Sequence, residues 1–390
     1  MISCVNSPVP KALLVDTNFS SWPILRALEA WDIEVHVVGA NPADALSKAH
    51  PRHHALDYSY TDALARLVET LRPDYVVPGC NDRSYISCAA VAEGGRFPGI
   101  DSPENTRNIN DKAAFRAVAG RLGLSIPKVF DWPAETPQCP VIVKPVDAFS
   151  GKGITIVRQP DYATLEAAVQ VASGVSRSGR AIVEEFVEGQ LHSHSAFVAG
   201  GRIVQDFWVI EHCSVNPFVV DVSHLVDDLD ETVTAGMRRD IEHLARGLGL
   251  VDGLLHTQFI VSGDRHAIVE ITRRCPGDLY SQLIQLSTGI DYPAAYAAPF
   301  AGRSESPSAP DSRLIMRHTL TGNCTVSLQH LRFLRPLAID RWVPLATGGD
   351  ELRPSPLGRM AILFAQASSA QDLRSLVDAT VSGQLYQVNA

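Results

Sequence analysis

The stretch PVIVKPVDAFSGKGITIV, residues 140–157, decides how this chain is read. One apolar run ends on Lys144, a loop of small residues carries Lys152 between Gly151 and Gly153, and a second apolar run follows. Two short β-branched runs flanking a glycine-bearing loop predict a hairpin. Glycine and serine let backbone N–H groups approach phosphate oxygens without obstruction, and a lysine supplies the compensating charge. Residues 147–153 therefore read as a lid over a polyphosphate, expected to be mobile without nucleotide and ordered with it. The loop lies between two strands and the chain lacks GxxxxGK[ST], which excludes a P-loop. A glycine-rich hairpin tip with an exposed lysine has the same composition, so the rest of the chain must decide.

The chain has 390 residues, 45% of them hydrophobic and 20% charged, the composition of a globular protein with two or three domains. A formal net charge of -9 argues against nucleic acid or an acidic membrane surface as partner. No apolar run approaches the roughly 20 residues of a membrane helix. The opening MISCVNSPVPK lacks a basic segment followed by an apolar one, so a cytoplasmic location is expected. Seven cysteines without a CxxC pair read as reduced thiols.

Strand-like runs at 12–16 and 33–38 flank an amphipathic stretch around Leu25 and Leu28, and YVVP at 75–78 follows TDALARLVETL. Strand, helix, strand in repetition predicts an open parallel sheet, with ligands beyond the carboxyl ends of its strands. GCNDRS sits at such an end, where Asn81 and Asp82 read as helix caps ahead of substrate contacts. A helix carrying Lys112, Phe115 and Leu122 precedes the strand-rich part. AIVEEFVEG at 181–189 and the pair HTQFIVS and HAIVEIT, joined by SGDR, follow. SESPSAPDS at 304–312 reads as a linker into a last unit with MAILFAQA and a helix around Leu373 and Leu376.

In AIVEEFVEG, the carboxylates of Glu184 and Glu185 can accept from a ribose or an adenine, while the backbone from Glu185 through Phe186 to Val187 reads the adenine edge. In EITRRCPGD, Glu270 ends a strand and suits Mg²⁺, a hard cation shared with nucleotide phosphates. Arg273 and Arg274 beside it suit a carboxylate or a transferring phosphoryl group. Each motif alone is matched by a solvated acidic turn or a surface ion-pair cluster.

Together and in this order the motifs resemble the ATP-grasp superfamily, over roughly 109–302, and within it the carboxylate-amine or L-amino-acid ligase branch. Lys144 with SGKG matches its strand-end lysine and glycine loop, EEFVEG its adenine strand, and EITRR approximates its glutamate, any residue, asparagine, proline, arginine. The resemblance implies an α/β and α+β fold: an N-terminal open parallel-sheet domain (1–108), ATP-grasp subdomains (109–302) and a small C-terminal α+β unit (303–390). It implies ATP held by Lys112, Lys144, the loop residues Ser150, Gly151, Lys152 and Gly153, and by Glu184, Glu185, Phe186 and Val187. Mg²⁺, or Mn²⁺ in its place, is implied on Glu270, with Gln258 and Thr272 standing where relatives carry a glutamate and an asparagine. A glutamate at 258 is expected to be tolerated or to tighten Mg²⁺. His192 stands near a position where relatives often place a glutamate, and reads either as a nucleotide contact or as a structural histidine.

The implied reaction activates a carboxylate as an acyl phosphate and passes it to an amine, releasing ADP and phosphate. Lys144, Glu270 and Arg274 would be its catalytic residues, Lys144 being dispensable for the fold. Ser223, His224, Arg273 and Gly277 are the substrate candidates. The partners are a small carboxylate and an amine, with a homodimer compatible. Two alternatives stay open: an ATP-grasp ligase with a non-amine acceptor, and an ATP-binding regulatory protein with weak turnover, which Gln258 and Thr272 favour.

Overall fold

The computed structural model describes residues 9–148, 151–303 and 312–389. At the N-terminus the strands His53–His54, Glu34–Val38, Lys11–Val15 and Tyr75–Pro78 form, in that order, a four-stranded sheet in which every pairing is parallel. Ala12 to Val15 are fully buried, as a strand covered on both faces must be. The helices Trp22–Ala30 and Thr61–Leu71 carry the apolar stripes that cover it. Strand order changes direction between Lys11–Val15 and Tyr75–Pro78, and at such a point an open α/β sheet has its ligand crevice.

The quoted stretch folds as expected into a hairpin, Val141–Pro145 against Thr155–Val157. It sits in a four-stranded antiparallel sheet with Ala181–Glu185 and Val129–Phe130, closed by the helix Tyr162–Val175. Gly151 and Gly153 have φ of +70° and +71°, a region closed to most other residues. A Cβ at Gly151 would also lie 2.5 Å from that of Phe218.

The third sheet is the frame of the molecule. Eight antiparallel strands run in the order Arg265–Thr272, Gly253–Ser262, Gln190–Ala199, Arg202–His212, Val222–Leu225, Leu314–Leu320, Ala361–Ala367, Ala338–Pro344. Its last three strands come from the C-terminal unit expected from 303 onwards, which thus extends the central sheet. The helix Glu231–Leu248 packs Val233, Met237, Ile241 and Leu244 against one half, and Ala370–Val381 packs Leu373, Leu376 and Val377 against the other. The largest apolar cluster joins the N-terminal sheet to Phe207, Val209, Ile315 and Ile362 of this sheet. Of the expected linker at 304–312, only Ser312 is among the described residues. No helix among the described residues is long and apolar enough to cross a membrane.

Candidate active site

A cleft of about 1260 Å³ opens where the three sheets converge. Lys112, Lys144, Gly151, Lys152, Glu185, Phe186, Val187, Gln258, Glu270, Thr272, Arg274 and Gly277 all line it. These residues come from segments up to 165 positions apart, from Lys112 to Gly277, and the fold brings them to one wall.

The charges of this wall are paired with one another. Lys112 Nζ lies 2.9 Å from Glu270 Oε1 and donates to Ala148 O at 3.3 Å. Burial would depress the Lys112 ammonium, but the Glu270 carboxylate holds it above its ordinary value. Lys144 is 5% exposed and its Nζ lies 2.9 Å from Glu184 Oε2, while Arg116 pairs with the other oxygen of Glu184. Burial alone would raise the Glu184 carboxyl, but Lys144 and Arg116 hold it down at about 2. Glu184 is fully buried and does not line the cleft, whereas Glu185 does, its carboxylate gripped by Arg265 at 3.0 and 3.2 Å.

Arg274 makes a bidentate pair with Asp82, at 3.0 and 3.1 Å, and the Thr272 hydroxyl donates to the same carboxylate at 2.8 Å. Asp82 opens the helix Asp82–Val91, which Asn81 caps by accepting from the Ser84 amide at 2.9 Å. The two readings of this pair thus separate: Asn81 caps, and Asp82 reaches across to the distant strand end. Burial would raise Asp82, but Arg274 keeps it below its ordinary value.

Other candidates lie elsewhere. Arg273 is 2% exposed and points away from the cleft, donating to Asp101 at 2.7 Å, Leu254 O at 2.9 Å and Val251 O at 2.6 Å. Each donor has a partner that lysine cannot satisfy in the same geometry. Arg273→Lys is therefore expected to destabilise the fold by about 3 kcal/mol, read as a lower Tm, with the KM for nucleotide within twofold of wild type. His192 is buried, stacked on Phe259, with Nδ1 3.0 Å from Gln190 O. Ser223 is fully buried and accepts from Arg317 Nη2 at 3.0 Å, and His224 Nδ1 sits 2.9 Å from Leu225 O. Neither these residues nor Gly153 is among those lining the cleft. Ser150 lies outside the described residues.

Two cleft residues escaped the sequence reading. Glu211, 4% exposed, ends the strand Arg202–His212, and its Oε2 accepts from Gln258 Nε2 at 2.7 Å. Arg317, 3% exposed, stands in Leu314–Leu320, and its Nε is buried without a hydrogen-bond partner among the described residues. Each is a charged residue directly after an apolar run, FWVI before Glu211 and LIM before Arg317. That anomaly was the available signal.

The donor set suits a divalent cation that arrives with a nucleotide. No group of three His, Cys, Asp or Glu able to hold a metal occurs among the described residues. Glu270 is one carboxylate, and the Gln258 carbonyl oxygen is left for coordination once its NH₂ is committed to Glu211. Mg²⁺ is commonly held in this way, by one or two carboxylates with phosphates and water completing the shell. Thr272 fits less well, because its hydroxyl already donates to Asp82 and accepts from the Arg274 amide at 3.3 Å.

Residues 137–282 match the family model described as ATP-grasp domain. A segment of 188 residues, 46% of this chain, is 33% identical to the formate-dependent phosphoribosylglycinamide formyltransferase of Rhodococcus jostii, of which it spans 46%. The chain thus matches about half the length of that relative. The fold is similar to that of an L-amino acid ligase from Bacillus licheniformis, with a TM-score of 0.76, 16% identity, and 97% and 98% of the two chains covered. It is also similar to the biotin carboxylase domain of a Hydrogenobacter thermophilus 2-oxoglutarate carboxylase in complex with MgADP, ADP and bicarbonate, with a TM-score of 0.71, 15% identity, and 97% and 90% covered. Residues 137–282 thus match an ATP-grasp domain, and the fold of the whole chain is similar to that of these structures.

Proposed function

We propose that the protein is an ATP-dependent ligase that activates a small carboxylate as an acyl phosphate and joins it to an amine. The observation that carries this reading is that one cleft is lined both by Lys112, Lys144, Lys152 and Glu270 and by Arg274, Arg317 and Glu211. Lysines beside a strand-end carboxylate suit a metal-bound polyphosphate, and buried arginines suit a carboxylate and the oxyanion that develops on it.

Lys112 and Glu270 neutralise each other at 2.9 Å. With nucleotide bound, Lys112 would turn to a phosphate oxygen and Glu270 to the cation. Lys144, fixed by Glu184, would hold its charge at the phosphates throughout. A bound Mg²⁺, or Mn²⁺ in its place, would supply charge neutralisation across the phosphates. Glu185 to Val187 would take the nucleoside, and Lys152 with its glycines would exclude water from the acyl phosphate. Arg274 would exchange Asp82 for the acid substrate, coupling the N-terminal domain to occupancy of the site.

The test is ADP release with Mg²⁺ and a panel of small carboxylic acids, with hydroxylamine to trap acyl phosphate as a hydroxamate. Acid-dependent ADP and hydroxamate are the expected result. ATP binding without either product would leave the regulatory reading, and ADP with bicarbonate alone would favour a carboxylase-like one.

A further inference from the structure

Among the cleft residues, His256 has no part in that scheme. The cation position sits on the rung of the central sheet where Glu270 lies opposite Gln258. Two residues along the strand, about 7 Å away, the next rung on the same face is Thr272, His256 and Ser195. Arg274 and Asp82 are charged neighbours of the His256 ring. A nucleotide whose phosphates meet a cation at Glu270 would have the carboxylate that attacks its terminal phosphorus on this second rung, beside Arg274.

Behind the ring runs a chain of buried hydroxyls. His256 Nδ1 lies 2.9 Å from Ser195 Oγ, which accepts from the Tyr292 hydroxyl at 3.1 Å and lies 3.4 Å from the Tyr280 hydroxyl. Tyr280 stands edge-on to the imidazole, with ring centres 5.1 Å apart, and its hydroxyl is 3.1 Å from Ser193 Oγ. Ser195 and Tyr292 are fully buried. Because Tyr292 donates to Ser195, the Ser195 hydrogen goes either to Nδ1 or to Tyr280, and the shorter contact is the better hydrogen bond. Nδ1 thus accepts, and in a neutral imidazole the ring hydrogen then sits on Nε2. A charged ring would carry a hydrogen there as well. Nε2 has no hydrogen-bond partner among the described residues and is not sealed from the cleft that the ring lines. The hydroxyls therefore hold the ring as an N–H donor to that second rung.

We propose that His256 is a catalytic residue of the acyl-transfer step: its Nε2–H donates to the carbonyl oxygen of the acyl phosphate and stabilises the oxyanion that forms there, while Ser195 and Tyr292 are positioning residues that keep the hydrogen on Nε2. This rests on the ligase reading above. The amine lone pair attacks the acyl carbon, and the C=O π pair moves onto the oxygen held by His256 and Arg274. As that pair returns, the bond from carbon to phosphate oxygen breaks with its electrons on phosphate, and a proton from the nitrogen passes to the phosphate. An amide and hydrogenphosphate result. His256 keeps its hydrogen throughout, so no proton transfer runs through the ring.

Two amides separate this role from a structural one. The side-chain nitrogen of glutamine reaches the place of imidazole Nε2, whereas that of asparagine reaches only the place of Nδ1, beside Ser195. Hydroxamate formation from hydroxylamine is measured for wild type, His256→Gln and His256→Asn with ATP, Mg²⁺ and the acid of the panel that yields most product. Removing one oxyanion donor commonly costs about 10²–10³ in kcat, so H256N is expected to lose about 100-fold or more in kcat, with the KM for acid and for ATP within about threefold of wild type. H256Q, which keeps the donor, should stay within about tenfold in kcat. H256N as fast as H256Q or faster marks a residue that serves through Nδ1 and overturns the assignment, as does a loss carried by KM alone. Neutron diffraction from the wild-type protein needs no variant to fold: deuterium on Nε2 is expected, and deuterium on Nδ1 with Nε2 bare overturns the assignment. Each of these outcomes leaves the ligase reading standing. Wild-type protein that forms no hydroxamate with any acid overturns the ligase reading itself, and the role of His256 with it.

Discussion

Lys144→Ala is expected to lose turnover and stability together. In kcat/KM the loss should be about 10³-fold, the scale on which removing a single preorganised charge at a developing anion is felt. The expectation that the fold would be indifferent to this lysine fails on the Glu184 pair. Both side chains are buried, and truncating one partner of a buried ion pair leaves the other charge uncompensated, at a cost of about 3 kcal/mol. Arg116 stays on the opposite oxygen and limits the damage. The pH dependence has a definite sign. Glu184 sits at about 2 in the folded protein, well below its ordinary 4.5. Its ionised form thus contributes stability that is fully present above about 4.5 and lost as pH falls towards 2. In Lys144→Ala the carboxyl rises and this contribution shrinks, so the variant should differ most from wild type at neutral pH and least near pH 2 in thermal melts. Equal Tm at neutral pH would show that Arg116 alone suffices.

How far the molecule could be read from its sequence depended on whether the signal was local. The hairpin at 141–157, the parallel strands and the SGDR turn are set by residues within a few positions of one another, and they stand where periodicity and glycines place them. The glycine at 151 is needed at positive φ and at close approach to Phe218, and only the first of these is visible in the sequence. The partners of the site charges were not visible. Lys112 finds Glu270 across 158 positions and Arg274 finds Asp82 across 192, and no spacing rule reaches that far. Arg273 and Arg274 look interchangeable in TRRC, yet in the bend just past Arg265–Thr272 one turns into the core at Asp101 and the other into the cleft. The continuation of the central sheet past residue 303 was hidden for a related reason. Pairing between Val222–Leu225 and Leu314–Leu320 joins segments that composition separates by a Ser and Pro run.

The metal site gives the second large effect, and here the structure reverses part of the sequence reading. Glu270→Gln should cut turnover by about 10³-fold, because it removes the one carboxylate at the cation position while neutral oxygens hold Mg²⁺ poorly against water. Stability should fall less than in Lys144→Ala, since the Glu270 side chain is 42% exposed, although Lys112, 14% exposed, loses its carboxylate partner. Gln258→Glu, by contrast, is no gain. Its carboxylate would face the buried Glu211 across the 2.7 Å that the half-buried Gln258 amide now bridges, and two carboxylates that close cannot both ionise. One proton must be retained, so the variant should melt lower at neutral pH and recover as pH falls. Its Mg²⁺ requirement should not tighten. The exchange Gln258→Glu with Glu211→Gln settles the cause, for it restores one carboxylate and one amide in reversed order. If repulsion is the defect, the double variant regains the wild-type Tm while the single one does not. A single Gln258→Glu protein that melts like wild type and saturates at lower Mg²⁺ would show that residue 258 answers to the cation and not to Glu211.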